Sequence, residues 1–231
     1  MDGPEIKKFD SRDEGEPAVR GFLHTMDKAA VDGLVLTHGA GQNCDSPLLI
    51  ALAASFCEVG LSALRCDLPF RQVRPHGSPM RGSAERDQAG LRRAIEAMRK
   101  VVPGRVFLGG HSYGGRQASI LAASEPGLVP ALLLLSYPLH PPKKREEMRT
   151  THFPSLQTPA LFVSGARDGF GTIDEIREAL KLIPARMELL AIEGAGHELM
   201  TAKNRGELST KIASAFLTFV DGGREDIAAS A

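Results

Sequence analysis

Net charge is the first thing this chain lacks: 28 Lys and Arg against 28 Asp and Glu leave a formal charge of zero at pH 7. Without a net field, neither nucleic acid nor a charged lipid surface is an expected partner. Long apolar runs are missing as well. None approaches the ~20 residues that span a bilayer, and the charged stretch Met1–Pro17 carries no apolar signal-peptide region. Cysteine is scarce. Cys44, Cys57 and Cys66 are odd in number and lack metal-ligand spacing, which argues against a disulfide framework or a zinc site. The expectation is a cytoplasmic protein with reduced thiols. Its 231 residues suffice for one α/β domain with a substantial core.

What the chain does have is a serine in an informative place. Arg105-Val106-Phe107-Leu108-Gly109 reads as a strand, and Gly110-His111-Ser112-Tyr113-Gly114 follows it ahead of a helix-like stretch. Strand, tight turn with serine, then helix is the context that gives Gly-x-Ser-x-Gly a mechanical meaning. The flanking glycines let strand and helix approach while the serine takes a strained conformation at the edge of the sheet.

An acid and a histidine follow in order. Pro159–Gly165 reads as a buried strand running into Asp168, and Met187–Ile192 as the next strand running into His197. All three residues therefore stand just past strand ends, where open parallel sheets place their sites. Serine, acid, histidine is also the chain order of α/β-hydrolases. A further strand, Asp32–Thr37, leads into His38-Gly39-Ala40-Gly41. This glycine-rich turn can aim the Ala40 N–H, with that of Tyr113, at a developing oxyanion. It lacks the Gly-Lys-Ser/Thr ending of a phosphate-binding loop.

Strand-like and helix-like segments alternate from Val19 to Val220, which implies a mostly parallel sheet with helices on both faces. Leu91, Ile95, Met98 and Val102 share one helix face. Thr172-Ile173-Asp174-Glu175 has the pattern of a capping box, so Asp174 and Glu175 read as caps. The expected organisation is a charged N-terminal segment (1–17), a single domain (18–221) and a loose tail (222–231) beyond a helix that stops at Gly222-Gly223.

These motifs resemble the α/β-hydrolases, and more narrowly the dienelactone-hydrolase-like group. The stretch Ser136-Tyr137-Pro138-Leu139-His140 is similar to a branch containing testis-expressed proteins and a regulatory subunit of a chromatin-acetylating complex. The resemblance implies an α/β-hydrolase fold. Dienelactone hydrolases proper use a cysteine nucleophile where this chain has Ser112, so their substrate does not carry over.

The residues themselves point to a serine hydrolase that needs no cofactor and no metal. Its substrate would be a small or polar ester or acyl compound. Ser112 is the expected nucleophile, His197 the base and Asp168 the acid. Rival bases are His38, expected to support the oxyanion turn, and His111. Asp67 is a rival acid, while His24, His76, His140 and His152 are expected on the surface or in loops. Pro69–Ala84 holds Arg71, Arg74, His76 and Arg81 with no acid, and these arginines are candidates for binding an anionic substrate. The short stretch from His140 to Thr158 leaves room for only a minimal lid. A partner-binding module without catalysis is the rival function, and a lyase or cofactor-free oxidoreductase on the same fold is a third. Oligomeric state is left open.

Overall fold

A computed structural model of the chain describes residues 3–12, 15–26 and 30–228, the last six of these as helical backbone only. The strands are β1 (Glu5–Asp10), β2 (Arg20–Thr25), β3 (Asp32–Thr37), β4 (Leu61–Asp67), β5 (Val106–His111), β6 (Leu132–Leu135), β7 (Ala160–Gly165) and β8 (Met187–Ile192). The helices are α1 (Pro47–Glu58), α2 (Pro69–Val73), α3 (Ser83–Arg99), α4 (Tyr113–Ser124), α5 (Ile173–Leu180) and α6 (Leu208–Ala228). One sheet takes all eight strands in the order β1-β2-β4-β3-β5-β6-β7-β8. From β4 to β8 the neighbours run parallel, while β2 pairs antiparallel with both β1 and β4. This is the α/β-hydrolase fold.

Strand alternation divides the core in two. In β6, Leu132 and Leu134 face one layer, with Leu91, Ile95 and Met98 of α3 and Leu121 of α4. Leu133 and Leu135 face the other, with Leu49, Leu52 and Phe56 of α1 and Ile212 and Phe216 of α6. A strand apolar at every position is what a sheet covered on both faces requires. The capping box is formed as expected, with Thr172 accepting from the Glu175 N–H and Glu175 reaching back.

Two boundaries differ from the expectation. Residues 5–10 belong to the sheet: the charged β1 is an edge strand whose backbone pairs with β2 while its side chains stay largely exposed. Its composition hid it, because an edge strand needs no apolar face. At the other end, α6 continues past Gly222-Gly223 to Ala228. A glycine costs a helix about 1 kcal/mol, which is not by itself a stop. Residues 1–2, 13–14 and 229–231 of the expected terminal segments lie outside the described residues. Among the described residues no helix is long and apolar enough to cross a membrane.

Of the histidines expected on the surface or in loops, His140 and His152 stand in the β6–β7 connection and His24 in β2, and none of these three is exposed. His24 and His140 are buried, and His152 shares a 2.8 Å hydrogen bond with Ser119. Burial, reinforced by the charges of Arg65 and Arg116 respectively, lowers the pKa of His24 and His152 from 6.5 to about 4. Burial likewise lowers that of His38 to about 4. Above pH 6.5 these groups are neutral in both folded and unfolded chains. As the pH falls from 6.5 towards 4, the unfolded chain takes up protons that the folded chain refuses, so stability declines through that window. Thermal unfolding midpoints measured across it should fall steadily with pH. A flat profile would show that these rings are accessible to protonation in the native state.

Candidate active site

The serine turn is built by close approach. Ser112 follows β5 with φ 50° and ψ −114°, a conformation a non-glycine residue adopts only under constraint, and α4 begins at the next residue. A Cβ on Gly110 would lie 2.5 Å from the Gly115 nitrogen, so the strand end and first helical turn meet only because both are bare. The Ser112 N–H donates to the Leu135 carbonyl at 2.8 Å, fixing the turn to the neighbouring strand end.

The loops after β7 and β8 are held together in the same way. The Arg167 N–H donates to the Ala195 carbonyl at 2.9 Å, and a Cβ on Gly165 would lie 2.4 Å from the Gly196 carbonyl oxygen. Asp168 and His197 are thereby brought into contact. His197 Nδ1 lies 2.8 Å from Asp168 Oδ2 and 3.0 Å from Oδ1. His197 Nε2 lies 2.8 Å from Ser112 Oγ. Asp168 is 4 % exposed, and its Oδ1 also accepts the Phe170 N–H at 2.8 Å. The Phe170 ring lies over the imidazole, with 4.2 Å between centroids. A carboxylate facing Nδ1 keeps the proton there, leaving Nε2 as acceptor for the serine hydroxyl.

The turn after β3 is oriented from below by His38. Its Nε2 accepts the Leu68 N–H at 3.1 Å, so its proton sits on Nδ1, which donates to the Gly39 carbonyl at 2.8 Å. The peptide is planar, so holding the Gly39 carbonyl turns the Ala40 N–H the opposite way. The Ala40 and Tyr113 N–H groups meet no acceptor among the described residues, and both residues line the same hollow as Ser112. Two further contacts secure this side. The Tyr113 hydroxyl donates to Asp87 Oδ2 at 2.8 Å, and Asp87 Oδ1 accepts the Phe70 N–H at 2.9 Å.

The rivals have other partners. His111 Nε2 donates to the His197 carbonyl at 2.9 Å, and its ring is buried, which lowers its pKa. Asp67 accepts the Cys44 N–H at 2.7 Å, beside His38 rather than His197. The three cysteines are free and buried; burial raises the Cys57 thiol to about 11.

Of the three loop arginines, Arg71 has a structural task. Its guanidinium donates to the carbonyls of Ala40, Gln42, Arg74 and Gly77, stapling the Gly39–Gly41 turn to the next loop. Four of its five N–H donors are thereby taken. Arg74 lines a separate hollow of about 220 Å³ beside α2 and α3, which Ser112 does not reach. Arg81 does line the Ser112 hollow, together with Arg116 and Arg149, which the sequence reading passed over. Arg116 had a usable signal, since it lies four residues after Ser112, one turn along α4. Arg149 had none.

Ser112 borders two hollows, one of about 440 Å³ towards α4 and one of about 350 Å³ between the Gly39–Gly41 turn and His197.

A family model described as an alpha/beta hydrolase domain matches residues 30–221. The chain belongs to the alpha/beta hydrolase domain family. The match begins just before β3, so the antiparallel β1–β2 pair lies outside it. This alpha/beta hydrolase is similar in fold to dienelactone hydrolase from Anabaena variabilis, at 21% identity and TM-score 0.72, covering 94% of this chain and 99% of that one. It is also similar to Est1E from Butyrivibrio proteoclasticus, at 15% identity and TM-score 0.71, with 95% and 100% covered. The esterase PF2001 of Pyrococcus furiosus matches at 16% identity and TM-score 0.72, with 94% and 92% covered.

Proposed function

We propose that the protein is a cofactor-free serine hydrolase that cleaves an ester or related acyl bond, with Ser112 as nucleophile, His197 as general base and Asp168 as the acid that orients it. One observation carries this reading: the unbroken hydrogen-bonded chain from Asp168 through His197 to Ser112, 2.8 Å at each step. The esterase and dienelactone hydrolase neighbours support it. So does the resemblance to the dienelactone-hydrolase-like group.

In the first step His197 Nε2 takes the Ser112 proton as Oγ attacks the acyl carbon. The carbonyl oxygen becomes an oxyanion and accepts hydrogen bonds from the Ala40 and Tyr113 N–H groups. The tetrahedral intermediate collapses, the acyl–oxygen bond breaks, and the imidazolium returns its proton to the leaving alcohol. Water then repeats the sequence on the acyl-enzyme, releasing the acid and restoring Ser112. Throughout, Asp168 holds the proton on Nδ1 and balances the transient imidazolium.

Substrate size follows from what covers the site. Tyr137, Leu139, Phe153 and Leu156, in the connection from β6 to β7, are buried in the core instead of folding over Ser112. An open site of this kind suits small or polar substrates, or one exposed end of a larger molecule.

A fluorophosphonate probe tests the reading without knowing the substrate. The wild type should label, and Ser112→Ala should lose all labelling with its melting temperature nearly unchanged, because little packing is removed. Equal labelling of both proteins would move the nucleophile elsewhere. A folded wild type that fails to label would instead favour the partner-binding module.

A further inference from the structure

The wall of the larger hollow beside Ser112 carries charge of one sign. Arg81, Arg116 and Arg149 line it, and no Asp or Glu does. None of these three arginines makes an ion pair with a carboxylate among the described residues. Arg116 projects from α4, and its Nε is buried without an acceptor among the described residues. Arg149 is held by its backbone: its N–H donates to the Leu139 carbonyl at 2.8 Å and its carbonyl accepts the Tyr137 hydroxyl at 2.6 Å. Among the described residues its guanidinium makes one hydrogen bond, to the Pro138 carbonyl at 3.3 Å, which uses one of its five donors.

Burial and then the Arg116 charge lower the Arg149 pKa. Glu147 opposes that shift, but its carboxylate is bound to Lys144 at 2.6 Å. His152, neutral at pH 7, adds no further positive charge. Half-buried like charges facing one cavity destabilise each other, and an anion between them reverses the sign of that interaction. A monocarboxylate would leave two of three cations uncompensated. A phosphate-type dianion, with three acceptor oxygens, matches guanidinium forks better in both charge and geometry.

We infer that this hollow binds a phosphate or phosphonate dianion carried by the substrate, so that the bond cleaved at Ser112 belongs to a small phosphorylated ester. The inference rests on the serine-hydrolase reading for the bond cleaved, whereas the anion site stands on Arg116, Arg149 and Arg81. The group is a handle: its own phosphorus bonds stay intact, and the arginines place the acyl carbon against Ser112.

The test uses inorganic phosphate as probe and the full chain carrying Ser112→Ala, titrated calorimetrically at pH 8 and constant ionic strength. Phosphate should bind about tenfold more tightly than acetate, and Arg116→Gln or Arg149→Gln should each weaken it by about tenfold. Arg81→Gln, on an exposed loop, should weaken it less and serves where a half-buried replacement fails to fold. In the wild type, phosphate should slow fluorophosphonate labelling, which places the anion beside the nucleophile. Acetate binding as tightly as phosphate, or phosphate binding untouched by all three replacements, overturns the inference. Normal labelling with no phosphate binding overturns it alone and leaves the hydrolase standing. Phosphate binding without labelling does the reverse.

Discussion

Asp168→Asn should lower turnover of a short-chain p-nitrophenyl ester by about four orders of magnitude while the protein stays folded. The replacement is nearly isosteric at a position only 4 % exposed, and its Oδ1 can still accept the Phe170 N–H. The other half of the side chain becomes an NH₂ facing His197 Nδ1. A donor there forces Nδ1 to act as acceptor, so the ring proton moves to Nε2, the atom 2.8 Å from Ser112 Oγ. The imidazole can no longer take the serine proton. The loss should fall on kcat with KM little changed, because Asp168 lines neither hollow beside Ser112. Steady-state kinetics together with a melting curve check it. Retention of most activity by a folded variant would mean that another group orients His197.

The second large effect is expected at His38, which touches no substrate and acts through the Gly39–Ala40 peptide. His38→Gln keeps an acceptor for the Leu68 N–H but loses the donor to the Gly39 carbonyl. His38→Asn does the opposite, placing an amide N–H near the Nδ1 position. If the Ala40 N–H stabilises the oxyanion, freeing its peptide should cost about 10²–10³ in kcat for the Gln variant, with KM nearly constant. The Asn variant should recover a substantial part of that. Both lose similar ring volume at a fully buried position, so a purely structural role predicts equal losses in the two. Equal kcat values for Gln and Asn would therefore remove the positioning role.

Much of the fold was legible in the chain because its signals are local. The apolar strand Leu132–Leu135 follows from an unbroken short apolar run, and the one-sided helix carrying Leu91, Ile95 and Met98 from a period of 3.6 residues. The three residues that meet at the site were legible for a related reason. Each stands directly behind a strand that reads clearly, and a parallel sheet carries all its strand ends to one edge. Once Ser112, Asp168 and His197 follow β5, β7 and β8, their meeting needs only short loops.

The misreadings share one cause. Arg71 and Arg116 are the same side chain on nearby elements, yet one is consumed by four carbonyls and the other faces the Ser112 hollow. Arg116 carried one local signal, its place one turn after Ser112, but nothing within a few residues of Arg71 told that its donors were taken. Strand β1 was hidden for the same reason, because its pairing is made by backbone, with charged side chains that signal exposure. His24 likewise looks like a polar residue in a strand until Arg65, 41 positions away, donates to it at 2.8 Å in the core. The sequence by itself determined most of the elements, their order and the placing of Ser112, Asp168 and His197 behind three strands, since these depend on torsions and short spacings. Only the tertiary structure decided which charges are neutralised and which face the cavity. That outcome depends on what distant segments bring to each side chain, and the desolvation and pairing of a charge are properties of the whole surrounding volume.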